Sequence, residues 1–125
     1  MIFIFGGAYQ GKLEYALTKY RLTEDDVFFC SENSHLDFSK KIISGLDRFT
    51  FGCVKEGLEA KELLEKNISL LKDKIIIADD VSQGVVPMDH DIRRWREMNG
   101  RALIWLGNTS DEVYRIFCGL PQKIK

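Results

Sequence analysis

The chain has 125 residues, with 18 lysines and arginines against 19 aspartates and glutamates and a net charge of −1. That length suits one domain, residues 1–125, around one core, and the near-neutral balance makes no electrostatic case for nucleic acid or an anionic membrane as partner. No apolar run approaches the roughly 18–20 residues of a membrane span, and an apolar strand that starts at Met1 leaves no place for a signal peptide, so a cytoplasmic protein is expected.

In chain order, Ile2–Phe5 is short and apolar on both faces, the pattern of a buried strand, and it stops at Gly6-Gly7. From Lys12 to about Leu22 the apolar positions Leu13, Ala16, Leu17 and Tyr20 recur at helical spacing. Val27-Phe-Phe-Cys30 reads as a second, central parallel strand. Ser31–Ser34 reads as a loop leading into a helix that carries Leu36, Phe38, Ile42, Ile43 and Leu46. Arg48–Phe51 suggests a short strand before Gly52, and about Gly57 to Lys72 a single amphipathic helix. Lys74-Ile-Ile-Ile-Ala78 is the strongest strand pattern in the chain and ends at Asp79-Asp80. Val81–Pro87 is expected to be a loop, Asp89 to about Leu106 a long helix, Val113–Cys118 a last strand, and the residues after Gly119 a basic tail. The three cysteines, Cys30, Cys53 and Cys118, fit no zinc or redox spacing and read as buried thiols of a reducing compartment.

Strands alternating with helices imply an α/β fold with a mostly parallel sheet and helices on both faces. Ligands of such sheets bind at the carboxyl ends of the strands. One stretch on that rim carries chemistry. Gly6-Gly-Ala-Tyr-Gln-Gly-Lys12 follows a buried strand and opens a helix, which is the context and spacing of the G-x-x-x-x-G-K-[ST] phosphate loop. Backbone N–H groups aimed inward, a helix N-terminus and a lysine are what a polyphosphate needs. Gly6, Gly7, Ala8, Tyr9, Gln10, Gly11, Lys12 and Leu13 are therefore the candidate nucleotide-binding residues, in a P-loop NTPase-like three-layer sandwich. The competing reading is an ordinary strand-to-helix turn. The last position should offer a hydroxyl to Mg²⁺ and is Leu13 instead.

Asp79 and Asp80, at the end of the strongest strand, are the candidate Mg²⁺ ligands, with Lys12 and Asp80 as the candidate catalytic pair; a surface turn is the alternative. His35 falls in the loop after the second strand, within reach of this rim, and His90 at a helix start. Arg93, Arg94, Arg96 and Arg101 share one helix and read first as its solvated face, second as a phosphate or subunit contact.

Two stretches together resemble a family. Phe5-Gly-Gly-Ala-Tyr-Gln-Gly-Lys12 is similar to the loop G-G-A-R-S-G-K-S. Asp80-Val-Ser-Gln-Gly-Val-Val-Pro87, Arg93-Arg-Trp-Arg-Glu97, Gly100-Arg101, Asp111-Glu-Val-Tyr114 and Gly119–Lys125 are similar, in order and spacing, to E-V-G-x-G-I-V-P, R-x-F-R-D, G-R, A-D-E-V and G-I-P-x-x-I-K. Both sets belong to the bifunctional adenosylcobinamide kinase/adenosylcobinamide-phosphate guanylyltransferases of cobalamin biosynthesis. The resemblance implies GTP or ATP with Mg²⁺ as cofactors, a cobinamide-like alcohol as phosphate acceptor, and a homo-oligomer with the Arg93–Arg101 helix as a candidate subunit contact. It also implies departures. Leu13 replaces the loop serine, and the helix expected over about Asp37–Asp47 lacks the histidine that the family guanylylates, a role not carried over to His35. The family's extra middle strand, ending in an acidic residue, has no room between Phe51 and Ile75, and its Asn-Gln pair falls on Leu103-Ile104. Kinase chemistry without guanylyl transfer is the expectation. A catalytically impaired nucleotide-binding or scaffold homologue, and a kinase of another small alcohol, are the alternatives.

Overall fold

The computed structural model describes residues 1–81 and 89–125. Among these residues six strands form one sheet: β1 (Ile2–Gly6), β2 (Val27–Phe29), β3 (Ile42–Ser44), β4 (Ile75–Asp79), β5 (Glu112–Phe117) and β6 (Leu120–Lys123), in the order β2-β3-β4-β1-β5-β6. Neighbours are parallel except β5 and β6. The helices are α1 (Lys12–Tyr20), α2 (Leu46–Glu56), α3 (Ala60–Lys66), the single turn α4 (Ile68–Leu71) and α5 (His90–Thr109).

The strand period of two sorts the side chains into two cores. Ile4, Ile42, Ile75, Ile77 and Ile116 pack on the α1 side against Ala16, while Phe3, Ile43, Ile76 and Val113 pack on the other side against α2 to α5, meeting Phe49, Leu64, Ala102 and Leu106. This is the expected three-layer α/β sandwich. Each large side chain buried in this way contributes roughly 1.5–3 kcal/mol, so the strand buried on both faces, Ile75–Ala78, fixes the middle of the sheet.

The segment from Val27 to Gly57 departs from expectation. Val27–Phe29 is the outermost strand, not a central one, and Phe29 is exposed. No helix follows it. Residues 31–41 form a loop held by short side-chain bonds. The Asn33 side-chain oxygen accepts from the His35 N–H at 2.9 Å, and an Asp37 carboxylate oxygen accepts from the Ser39 N–H at 2.8 Å; such local bonds compete with the helix ladder. Ile42 and Ile43 then point to opposite faces as a strand, with Gly45 (φ 77°) turning the chain into α2. Among the described residues no strand lies between Phe51 and Ile75, as expected; β3 ends in Ser44, and the next carboxylate is Asp47 in the first turn of α2. Arg48–Phe51 is not a strand but part of α2, whose buried Leu46, Phe49, Cys53 and Val54 follow the helical period.

Two smaller differences lie further on. The helix expected over Gly57–Lys72 is interrupted at Asn67, whose side-chain amide donates to the Leu63 carbonyl at 2.8 Å. The tail after Gly119 is a strand, because Cys118 and Gly119 (φ 50° and 75°) make a tight turn that returns it antiparallel to β5. Cys30 and Cys53 are buried as expected, but Cys118, at that turn, is exposed. The expected loop Val81–Pro87 and its motif lie outside the described residues beyond Val81. Among the described residues no helix is long and apolar enough to cross a membrane.

Candidate phosphate-binding site

Three parallel strands end on one rim. Gly6 of β1 is in register with Asp79 of β4, and Ser44 of β3 with Ile77. The loop after Gly6 therefore stands beside the last residues of β4 and β3. Its backbone explains its glycines. A Cβ at Gly6 (φ 154°) would lie 2.4 Å from the Ile116 carbonyl oxygen of β5, and Gly11 (φ 89°) caps the start of α1 in the left-handed conformation. Tyr9 holds a left-handed conformation without being glycine (φ 59°) and is fully exposed at the tip of the loop; such a conformation costs on the order of 1 kcal/mol. The β5–β6 turn supports this geometry. The Cys118 N–H donates to Gln10 Oε1 at 2.6 Å and the Gly119 N–H to the Gln10 carbonyl at 2.8 Å.

Lys12 is buried inside the loop. Its Nζ donates to the Gly7 carbonyl at 2.6 Å and lies 2.6 Å from Asp79 Oδ1. Asp79 is itself fixed on both sides: its N–H donates to Asp47 Oδ1 at 3.0 Å, and its carbonyl accepts from Asn99 Nδ2 at 3.3 Å. Asn99, fully buried, also accepts from Thr50 Oγ1 at 2.8 Å, and Thr50 Oγ1 in turn accepts from Trp95 Nε1 at 3.0 Å. A polar network thus ties α5 and α2 to the end of β4. Satisfied networks of this kind fix geometry because an unpaired buried member is costly.

The two adjacent aspartates part company. Asp79 follows Ile75 and Ile77 onto the α1 side and meets Lys12. A cavity of about 170 Å³ opens there, with Lys12, Leu13, Ser44, Ile77 and Asp79 in its lining. Asp80 donates its N–H to the Gly6 carbonyl at 2.8 Å and lines two cavities on the other side of the loop. One, of about 370 Å³, also has Gly6, Gly7, Ala8 and Arg115 in its lining. The second, of about 430 Å³, is mostly apolar, with Phe3, Phe5 and Leu103. Leu13 packs partly into the apolar cluster under α1, which accounts for its side chain in packing terms.

Asp47 is a residue that motif reading passes over. Its burial, reinforced by the charge of Asp79, raises its carboxyl above the ordinary aspartate value of 3.8, against the opposing pull of the Asp79 N–H and Lys12. A carboxyl raised in the folded state favours the protonated form there. Stability on this account is fully present below the unfolded value and is lost as pH rises through the folded one. Asp47→Asn keeps the acceptor for the Asp79 N–H and removes the charge. Its melting temperature at pH 7 is therefore expected to equal or exceed that of the wild type, with the difference vanishing towards pH 3.8. A lower melting temperature at pH 7 would show instead that attraction to Lys12 dominates.

The other candidates lie away from this centre. The His35 ring sits edge-on to Phe28 at 5.8 Å and is exposed, and His90 is exposed at the first position of α5. Arg101 forks onto Glu59 at 3.0 and 3.1 Å, Arg93 and Arg94 are exposed, and Arg96 is half-buried. Asn99 was legible as a polar residue inside the apolar stripe of α5; Ser44 and Asp47 were hidden by the helix read across residues 36–46.

Magnesium is the ion that a phosphate loop implies. A carboxylate beside the loop, on a cavity of about 170 Å³, fits an ion that is held by one or two protein oxygens and otherwise by phosphates and water; Asp79 is the carboxylate so placed.

Comparison with protein families matches residues 52–124 to the one described as cobinamide kinase / cobinamide phosphate guanyltransferase. The match runs from within α2 to β6 and holds Asp79, Asp80 and α5; the Gly6–Leu13 loop precedes it. No curated protein matches the chain.

Proposed function

The chain belongs to the cobinamide kinase / cobinamide phosphate guanyltransferase family, and from that premise we propose that it binds GTP or ATP on the Gly6–Leu13 loop and transfers the terminal phosphate to the hydroxyl of a cobinamide-like alcohol. The observation that carries this reading is Lys12, buried in the loop with its ammonium held between the Gly7 carbonyl and Asp79. A buried lysine at a helix start, ringed by loop backbone, is arranged for an anion.

In the proposed reaction the acceptor oxygen bonds to the γ-phosphorus, the bond to the β–γ bridging oxygen breaks, and the nucleoside diphosphate leaves with that electron pair. Lys12 exchanges Asp79 for the phosphate and stabilises charge on its oxygens. Asp79 would hold Mg²⁺, which when bound neutralises charge on the β- and γ-phosphates. Asp80, across the loop and at the junction of the two larger cavities, faces the space suited to an acceptor with an apolar body and takes the proton of its hydroxyl. No described histidine contacts Lys12 or Asp79, which supports phosphoryl rather than guanylyl transfer. Incubation with cobinamide and γ-labelled GTP or ATP tests this. Label in the cobinamide product is expected from the γ-position and not from the α-position; α-label in the product would overturn it.

A second reading has a specific observation behind it. Leu13 brings no oxygen to the metal, so a homologue that binds nucleotide without turnover would bind it equally well with and without Mg²⁺ and label no acceptor. A homo-oligomer is proposed for either case. Exposed Ile104, Phe117, Leu120 and Ile124 near the β6 edge support it, and a monomeric mass in sedimentation would refute it.

A further inference from the structure

The loop lacks its hydroxyl at Leu13, yet a hydroxyl stands in the same cavity. Ser44 is the last residue of β3, paired in register with Ile77, and only 9% exposed. It shares the lining of the cavity of about 170 Å³ with Lys12, Leu13 and Asp79. The Ser44 carbonyl accepts from the Cys30 N–H at 2.9 Å, but its Oγ makes no hydrogen bond among the described residues. The hydroxyl is not sealed in the core: the buried side-chain atoms without a partner among the described residues are Tyr20 Oη and Ser110 Oγ, whereas Ser44 lines the cavity. A serine that shares a cavity lining with a paired lysine and carboxylate is placed to meet an ion or phosphate that enters that cavity. Two residues earlier on the same face stands Ile42, in the apolar cluster with Ile75, its register partner, and Ile77, the register partner of Ser44. The hydroxyl thus appears only at the point where the strand reaches the loop.

We infer that Ser44 supplies, from the neighbouring strand, the oxygen that Leu13 cannot, so that Ser44 Oγ and the Asp79 carboxylate together hold the Mg²⁺ of the bound nucleotide. The inference rests on the proposed nucleotide binding at Gly6–Leu13. It places the metal on oxygens of two adjacent strands, β3 and β4, with the lysine of the loop beside them. A neutral hydroxyl and one carboxylate, completed by phosphate oxygens and water, is an ordinary magnesium set.

The test is the ratio of nucleotide affinities with Mg²⁺ and with EDTA, read by calorimetry for the wild type and three variants. The wild type is expected to bind more tightly with Mg²⁺. Ser44→Ala is expected to lower that ratio at least about tenfold, the scale on which one supporting group changes metal affinity, while its affinity in EDTA stays that of the wild type. Ser44→Thr should keep the ratio, and adding Leu13→Ser to Ser44→Ala should restore it. Because the Ser44 hydroxyl has no partner to lose, the melting temperature of Ser44→Ala should not fall, which separates a metal role from a structural one. A Ser44→Ala protein with the full wild-type ratio overturns the inference and leaves nucleotide binding standing. A wild type that binds no nucleotide in either condition overturns both.

Discussion

Lys12→Met is expected to weaken nucleotide binding by about a hundredfold or more while leaving the protein folded. Methionine keeps the buried stem under the loop and removes only the ammonium, which is the group that would meet the phosphates. Charge-assisted contacts of this kind are worth about 1.5–3 kcal/mol each in a partly desolvated site, and a lysine that meets two phosphates makes more than one. The structural cost is smaller. Asp79 loses its partner at 2.6 Å, but its side chain is 33% exposed, so water takes over part of the ammonium's role. Its backbone stays held by Asp47 and Asn99. A melting temperature within a few degrees of the wild type, together with lost binding, is the expected pair of results from differential scanning fluorimetry and calorimetry. Unchanged affinity would mean that the ammonium serves Asp79 alone.

The largest effect on stability is expected from Gly52→Ala. Gly52 lies inside α2, where alanine is normally favoured by about 1 kcal/mol. Here a Cβ would stand 2.3 Å from the Asn33 nitrogen and Cα and 2.4 Å from its carbonyl carbon. Neither side can give way cheaply. The helix is anchored by the fully buried Leu46, Phe49 and Cys53. The loop is anchored by Glu56, whose carboxylate accepts from the Ser34 N–H at 2.7 Å and from Ser34 Oγ at 2.9 Å. Overpacking against fixed neighbours costs about 1–3 kcal/mol and at times more, which corresponds to a fall of roughly 5–10 °C in melting temperature for a domain of this size. Gly100→Ala, in α5, is the control: its Cβ meets no described atom within 4 Å, so it should leave stability unchanged or slightly raised. Equal behaviour of the two variants would mean that the loop does not rest on α2.

Gly52 also shows why part of the fold was hard to read from the sequence. A glycine between Phe51 and Cys53 looks like a break, and Arg48–Phe51 before it like a strand. The glycine belongs to the helix because a loop more than a dozen residues earlier lies on it, and no local pattern carries that contact. The same loop carries a helical pattern, with Leu36, Phe38, Ile42 and Ile43 near helical spacing, but the bonds of Asn33 and Asp37 to backbone N–H groups decide otherwise. By contrast Ile2–Phe5, Ile75–Ala78 and the long α5 were legible, since strands buried on both faces and a five-turn amphipathic helix leave little choice of structure.

The candidate site divides along the same line. Gly6–Lys12 and Asp79 were legible because a contiguous motif and a strand end carry them. The separation of Asp79 from Asp80 was not, because it depends on which face of β4 each side chain takes. Ser44 and Asp47 were invisible once their segment had been read as helix, and their proximity to Lys12 arises only from the order of β3 and β4 in the sheet.

Occupancy of the Gly6–Leu13 loop by nucleotide is the most direct test of the proposed function. Calorimetric titration of the intact chain with GTP and with ATP, in Mg²⁺, is predicted to give saturable binding of one nucleotide per chain that Lys12→Met removes. No binding at millimolar concentrations of either nucleotide would contradict it.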